Sequence, residues 1–350
     1  MKKIVLPLLL ALVSSLFFQC ETDQPETESQ FDVRQGTALV ITGAAARIPQ
    51  EAALLEKLHT TGKLSNVVFI SGVSSGSINA VIMNGILTKK YTWSRYKNLL
   101  FSLSNNKVFV ATTTNQLPVS TAPLKQLLKD VINDTLGYKV IQDLPMATSI
   151  SIVSADPLSY KRTFRLSNSP INTEYDASFD LDELIYASTA YPIIFPTVNF
   201  TTVKTIPNSS YIDGATAEDY VPYTAVLEYE KMRGIGIDTL LIVSRKGSGE
   251  ASLQTEFSQL GLKDVKDFQR LNISMDDLTN NSFLRGLRTL QDRAPNLAAR
   301  TFIFVPELSE EFLVFDFGNS KRQYEATSDW AKNNNPIPLA KYLETYGKKK

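Results

Sequence analysis

Asn66-Val-Val-Phe-Ile70-Ser-Gly72-Val-Ser74-Ser-Gly76-Ser-Ile-Asn-Ala80-Val-Ile-Met-Asn-Gly-Ile-Leu87 is the stretch that decides the fold. Asn66 to Ile70 reads as a buried strand, and Ser77 to Leu87, apolar on every side, as a helix buried in the core. Between them stands a Gly-x-Ser-x-Gly turn. A strand that turns at once into a helix forces its turn residue into a strained conformation and leaves the Ser74 hydroxyl exposed at the strand's end. Gly72 and Gly76 remove the side chains that would collide across the turn. The helix N-terminus then aims free N–H groups at the place where negative charge would develop.

Outward from that stretch, short apolar runs alternate with amphipathic ones, the pattern of an α/β chain. Thr37 to Ile41 reads as a buried strand and Gly43 to Arg47 as a loop. Pro49 suits the first turn of a helix running through Leu54, Leu55 and Leu58. Pro123 to Ile132 has helical spacing, and Leu181 to Ser188 is a short helix. Ser149 to Ser154, Lys161 to Leu166, Thr239 to Ser244 and Thr301 to Val305 read as strands. Glu250 to Asn296 is polar with helical spacing and suits a peripheral helical layer. No internal repeat is visible, and residues 31–347 read as one domain.

A serine nucleophile needs a base. His59 is the only histidine, and it falls at the far end of the helix that starts near Pro49. About ten residues at ~1.5 Å rise put it roughly 15 Å from the loop end. That loop follows a parallel strand, as Ser74 does, so the loop lies at the sheet edge that carries Ser74 and His59 lies away from it. The base must be a carboxylate, and the candidate is Asp213 in Ser210-Tyr-Ile-Asp-Gly-Ala215. Its site has to be sheltered enough to raise its pKa toward working pH.

With these residues in view, the chain resembles the patatin-like phospholipase family. Gly72-Val-Ser-Ser-Gly-Ser-Ile-Asn-Ala80 looks like the family's nucleophile block, and Asp213-Gly-Ala215 like its dyad block. Ala187-Ser-Thr-Ala-Tyr-Pro-Ile-Ile-Phe-Pro196 is similar to its Ala-Ser-x-Ala-x-Pro-x-x-Phe-Pro signature. Asp219 to Pro222 sits where the family carries a short Pro-containing segment. The resemblance implies a three-layer α/β/α fold with a mainly parallel sheet, a Ser74–Asp213 dyad, and hydrolysis of lipid acyl esters. One block departs from the pattern. The family's oxyanion loop reads Gly-Gly-Gly-x-Arg-Gly, whereas Gly43-Ala-Ala-Ala-Arg47-Ile48 has Ala44, Ala45 and Ile48 where glycines are expected. Alanine keeps its N–H, so Gly43, Ala44, Ala45 and Ser75 remain the candidate oxyanion donors. A Cβ, however, disfavours positive φ. That substitution keeps open a second reading, a lipid-binding protein of the same fold without turnover.

Composition narrows the rest. The 350 residues carry 36 basic and 36 acidic side chains, so nothing calls for nucleic acid. A single cysteine and a single histidine leave too few soft or imidazole ligands for a zinc site, and no cofactor is expected. Residues 1–19 read as a signal peptide: Lys2 and Lys3, then an apolar run too short to span a bilayer. Cys20 ends that run and resembles the lipid-modified first residue of a bacterial lipoprotein. Residues 20–30, rich in acids, read as a flexible tether. The expected location is the bacterial cell envelope, membrane-anchored through Cys20. Cleavage after Ser15 would instead give a soluble secreted or periplasmic protein.

Overall fold

A computed structural model describes residues 28–113, 116–155, 163–169, 178–200, 210–246, 256, 258 and 275–347. Five parallel strands form its centre, in the order β3 (Thr148–Ser154), β2 (Val67–Val73), β1 (Thr37–Ile41), β7 (Thr239–Val243) and β8 (Thr301–Phe304). Strands buried on both faces need near-continuous apolar residues, which β1 and β7 supply after their half-buried opening threonines. Their period of two then divides the core. Leu39 and Ile41 pack on one face, and Ala38 and Val40 on the other.

Helices cover both faces, giving three layers. On the first lie α1 (Ile48–Thr60), α2 (Ser75–Leu87), α3 (Trp93–Phe101), α4 (Ala122–Leu128), α5 (Leu181–Ser188) and, later in the chain, α8 (Ser320–Lys332). The second carries α6 (Thr224–Arg233), α7 (Met275–Arg293) and α9 (Leu339–Tyr346). The helix expected over Pro123 to Ile132 is α-helical only to Leu128. Lys129–Thr135 continues it as a π-helix, a wider turn often found beside functional sites.

The elements around the quoted stretch are longer than periodicity suggested. β2 runs to Val73 and α2 begins at Ser75, so Ser74 alone makes the turn. A second departure lies upstream. Glu28, expected in a free tether, is docked: its carboxylate accepts the N–H groups of Asn296 (2.9 Å) and Leu297 (2.5 Å). Those amides open a one-turn helix and have no partner within it, so an acidic side chain is held there. Cys20, the leader and most of the acidic stretch lie outside the described residues, as do most of residues 250–274.

Thr148–Ser151 of β3 pair with Ile70–Val73 of β2, and the next three residues pair antiparallel with β6 (Ser210–Asp213), whose other edge takes the short β5 (Val198–Asn199). The opposite edge of β3 is occupied from Ser149 to Val153 by β4 (Thr163–Ser167). β2 and β6 therefore share a single edge, laid end to end with their C-termini facing. Val73 stands opposite Ser151 and Asp213 opposite Ile152. Two residues 139 positions apart in the chain, Ser74 and Asp213, are thereby brought to one point.

Candidate active site

Ser74 has φ 55° and ψ −137°, a conformation few non-glycine residues adopt. The close approaches around it explain the flanking glycines. A Cβ at Gly76 would stand 2.2 Å from Thr42 O, on the loop after β1, and one at Gly72 would stand 2.6 Å from Gly76 O. Both contacts are with backbone, which cannot move aside as a side chain can.

The turn is held by a hydroxyl that sequence reasoning passed over. Ser74 N–H donates to Ser188 Oγ (2.9 Å), and Ser188 O–H donates to Ser151 O (2.8 Å). Two residues later, Ala190 O accepts the Asp213 N–H (3.0 Å). The C-terminal end of α5 thus touches the backbone of both candidate residues. This gives the Ala187-to-Pro196 block a physical reading: small residues are needed where a helix end presses against the junction of two strands. Asp219 is tied to the same strand, accepting from Ser151 Oγ (2.8 Å) and from Arg165 Nε (2.7 Å) and Nη2 (3.0 Å).

Asp213 is fully buried. Its Oδ1 accepts the Ala215 N–H at 2.8 Å, while Oδ2 has no hydrogen-bond partner among the described residues. Burial pushes the carboxyl from 3.8 up to about 7, opposed by the smaller pull of the Ser74 hydroxyl and the Ala215 amide. The hydroxyl is near enough to favour the anion without closing a hydrogen bond. An unpartnered buried carboxylate oxygen beside a strained serine is costly for stability.

The loop after β1 departs from expectation in two ways. Ala45 takes φ 46° despite its Cβ. A left-handed residue costs about 1–2 kcal/mol, and the next two residues hold it there. Ala46 N–H donates to Val314 O (2.8 Å), and the buried Arg47 guanidinium donates to Phe312 O and Lys246 O. Secondly, the Gly43–Ala44 peptide is pinned at both ends. Gly43 O accepts from Tyr220 Oη (2.9 Å) and Ala44 N–H donates to Ser75 Oγ (2.9 Å). Ala44, one of the expected oxyanion donors, is already engaged. Among the described residues, no acceptor takes the N–H of Gly43, Ala45 or Ser75. Glu51, buried beneath the loop, accepts from Thr42 Oγ1 (3.2 Å) and Asn79 Nδ2 (3.0 Å), linking loop to α2; burial holds its pKa well above the usual range.

Ser74, Asp213, Gly43, Ala45 and Ser75 border one cavity, partly open to solvent. Away from them its walls are aliphatic and aromatic apart from Thr189 and Arg245. His59 does not border it; its Nδ1 accepts from Trp93 Nε1 (3.1 Å) at the far end of α1. No group of metal ligands and no helix long and apolar enough to cross a membrane occurs among the described residues.

The family model for the patatin-like phospholipases matches residues 39–227, more than half of the chain. The chain belongs to the patatin-like phospholipase family. Membership brings lipid hydrolysis as its general activity, and the mainly parallel sheet between helical layers fits the family fold. Among solved structures, the chain is similar to VipD from Legionella pneumophila, with 10% identity, a TM-score of 0.35 and coverage of 91% of this chain and 72% of that one. It is also similar to full-length ExoU of Pseudomonas aeruginosa in complex with SpcU. There the identity is 13% and the TM-score 0.29, over 93% of this chain and 81% of the other. Likenesses this loose add nothing to the family match. No curated protein matches the chain.

Proposed function

We propose that this patatin-like protein is a serine acyl hydrolase that cleaves lipid acyl esters with Ser74 as nucleophile and Asp213 as base. The observation that carries the reading is the end-to-end meeting of β2 and β6, with a sheltered carboxyl raised to about 7 beside the turn serine. Ionised Asp213 takes the Ser74 proton on Oδ2 as Ser74 Oγ attacks the ester carbonyl. The N–H groups of Gly43, Ala45 and Ser75 hold the oxyanion. Collapse breaks the ester C–O bond, the leaving alcohol takes the proton from Asp213, and acyl-Ser74 remains. Water, giving its proton to Asp213, then displaces the fatty acid, and Ser74 regains that proton.

This assignment fixes a pH dependence. Asp213 works only as the anion, so kcat/KM should rise about tenfold per pH unit below pH ~7 and level off above it. A profile flat from about pH 5 to 9 would overturn the base assignment. One observation favours the non-hydrolytic reading: the Ala44 N–H is spent on Ser75 Oγ, and an oxyanion donor is commonly worth ~10²–10³ in rate. An organophosphonate ester separates the two, since a working hydrolase becomes covalently labelled and a mere lipid binder does not.

Ser188 enters as a positioning residue. Ser188→Ala leaves the Ser74 N–H buried without an acceptor, which costs about 1–3 kcal/mol and loosens the turn. The expected result is a kcat about 10–100-fold lower with KM within a few-fold of wild type. An unchanged kcat in the folded variant would remove Ser188 from the machinery.

A further inference from the structure

The cavity beside Ser74 has a floor, and the floor can be located along α2. Ser75, Ile78, Val81 and Ile82 of that helix border the cavity, whereas the following turn does not. There the space closes: a Cβ at Gly85 would stand 3.1 Å from Leu136 Cδ2 and 3.2 Å from Tyr91 Cβ. The facing wall ends at the same level. α4 and its π-helical continuation contribute Leu128, Val131 and Ile132 to the cavity, and Leu136, just beyond them, is the residue that meets Gly85. From Ser74 to Ile82 is eight residues, or ~12 Å along the helix.

The chemistry along this length is one-sided. Polar groups gather at the Ser74 end, with Asp213, Thr189 and Tyr191, and with Arg245, which follows β7 where that strand meets Thr42 of the loop after β1. Farther in, the Tyr96 hydroxyl is already committed to Asn79 Oδ1 (2.5 Å). A head group pushed inward would lose its water and find no partner, whereas a hydrocarbon chain gains with every methylene. Carbon–carbon bonds of ~1.5 Å at tetrahedral angles advance ~1.25 Å each, so about ten carbons fill the distance.

We propose that the acyl chain of the scissile ester lies along α2, carbonyl at Ser74 and methyl end against Ile82 and Ile132, and that these two side chains set a medium-chain limit. The catalytic readout of this proposal rests on the Ser74 reading; the binding readout does not.

The test uses p-nitrophenyl esters from acetyl to palmitoyl. For the wild type, kcat/KM should climb up to about fourfold per added methylene and stop climbing near decanoyl. Ile132→Phe raises the floor and should lower the ratio of decanoyl to butanoyl kcat/KM at least tenfold; Ile132→Ala should move the break to longer chains. The ratio is internal to each variant, so a loss of folded protein does not mimic the shift. In parallel, Ser74→Ala is titrated with saturated fatty acids of graded length against a fluorescent fatty acid, where affinity should rise to the same limit. Graded binding without hydrolysis by the wild type sustains the cavity assignment and overturns only the hydrolase. A break that neither Ile132 variant moves, or no break in either series, overturns the chain-length limit.

Discussion

Ser74→Ala is expected to abolish ester hydrolysis, lowering kcat by at least ~10⁴-fold, while the protein keeps its fold. The loss is large because the residues of a covalent mechanism act as a unit, and removing the nucleophile leaves only binding and the oxyanion donors. Stability should change little. Alanine at φ 55° is as strained as serine, and the hydroxyl it removes closes no hydrogen bond with the buried Asp213 Oδ2. Two measurements check this. An organophosphonate ester must label the wild type at Ser74 and leave Ser74→Ala unlabelled, and kcat for a short-chain ester must fall to background. Labelling or turnover that survives in the alanine variant would place the nucleophile elsewhere.

The second large effect concerns Asp213 and runs in opposite directions for activity and stability. Asp213→Asn keeps the shape and can still accept the Ala215 N–H on Oδ1, yet it takes no proton, so kcat should fall at least ~10²-fold. For stability the sign follows from the raised pKa. The unfolded chain ionises Asp213 near 3.8, whereas the folded protein holds the proton to about 7. The carboxyl's favourable contribution is therefore complete below pH ~4 and lost as pH rises through about 7. Asparagine does not titrate. The variant should match the wild type near pH 4 and exceed it by about 2–4 kcal/mol at pH 8, read from denaturant midpoints at the two pH values. Equal stability at both would mean that Asp213 is not held protonated by burial. His59→Ala serves as the counterpart: its ring touches Trp93, away from the cavity, and activity should stay within a few-fold of wild type. A folded His59→Ala protein without activity would restore a histidine mechanism.

The two predictions differ in how far the sequence supports them. Ser74 was legible because its conformation is imposed locally. An apolar strand, a glycine on either side and a buried helix all fall within Asn66 to Leu87, and steric exclusion across so short a span leaves one way to turn. The same holds for α1 after Pro49 and for β1 and β7, whose unbroken apolar runs suit only strands covered on both faces. The exclusion of His59 was legible too, since helical rise alone carries it away from the loop end. Asp213 was legible only as a residue type in an Asp-Gly turn, selected because no histidine could serve.

Its proximity to Ser74, its burial and the raised pKa come from the shared edge of β3, a pairing no local pattern encodes. Ser188 has the same status: its hydroxyl meets the Ser74 amide across 114 residues of chain, and the signature block announced small residues without saying what they touch. In the loop after β1, the sequence argued that alanine would resist positive φ. The anchors of Ala46 and Arg47 on residues 312 to 314 override that preference at Ala45, because contacts to a distant segment can outweigh a cost of about 1–2 kcal/mol. What the sequence determined by itself was the set of elements and the turn that strains Ser74, since both follow from sterics and burial over neighbouring residues. What the tertiary structure decided was which groups meet there, which amides stay free and where the cavity ends, since those depend on hydrogen bonds and packing between segments far apart in the chain.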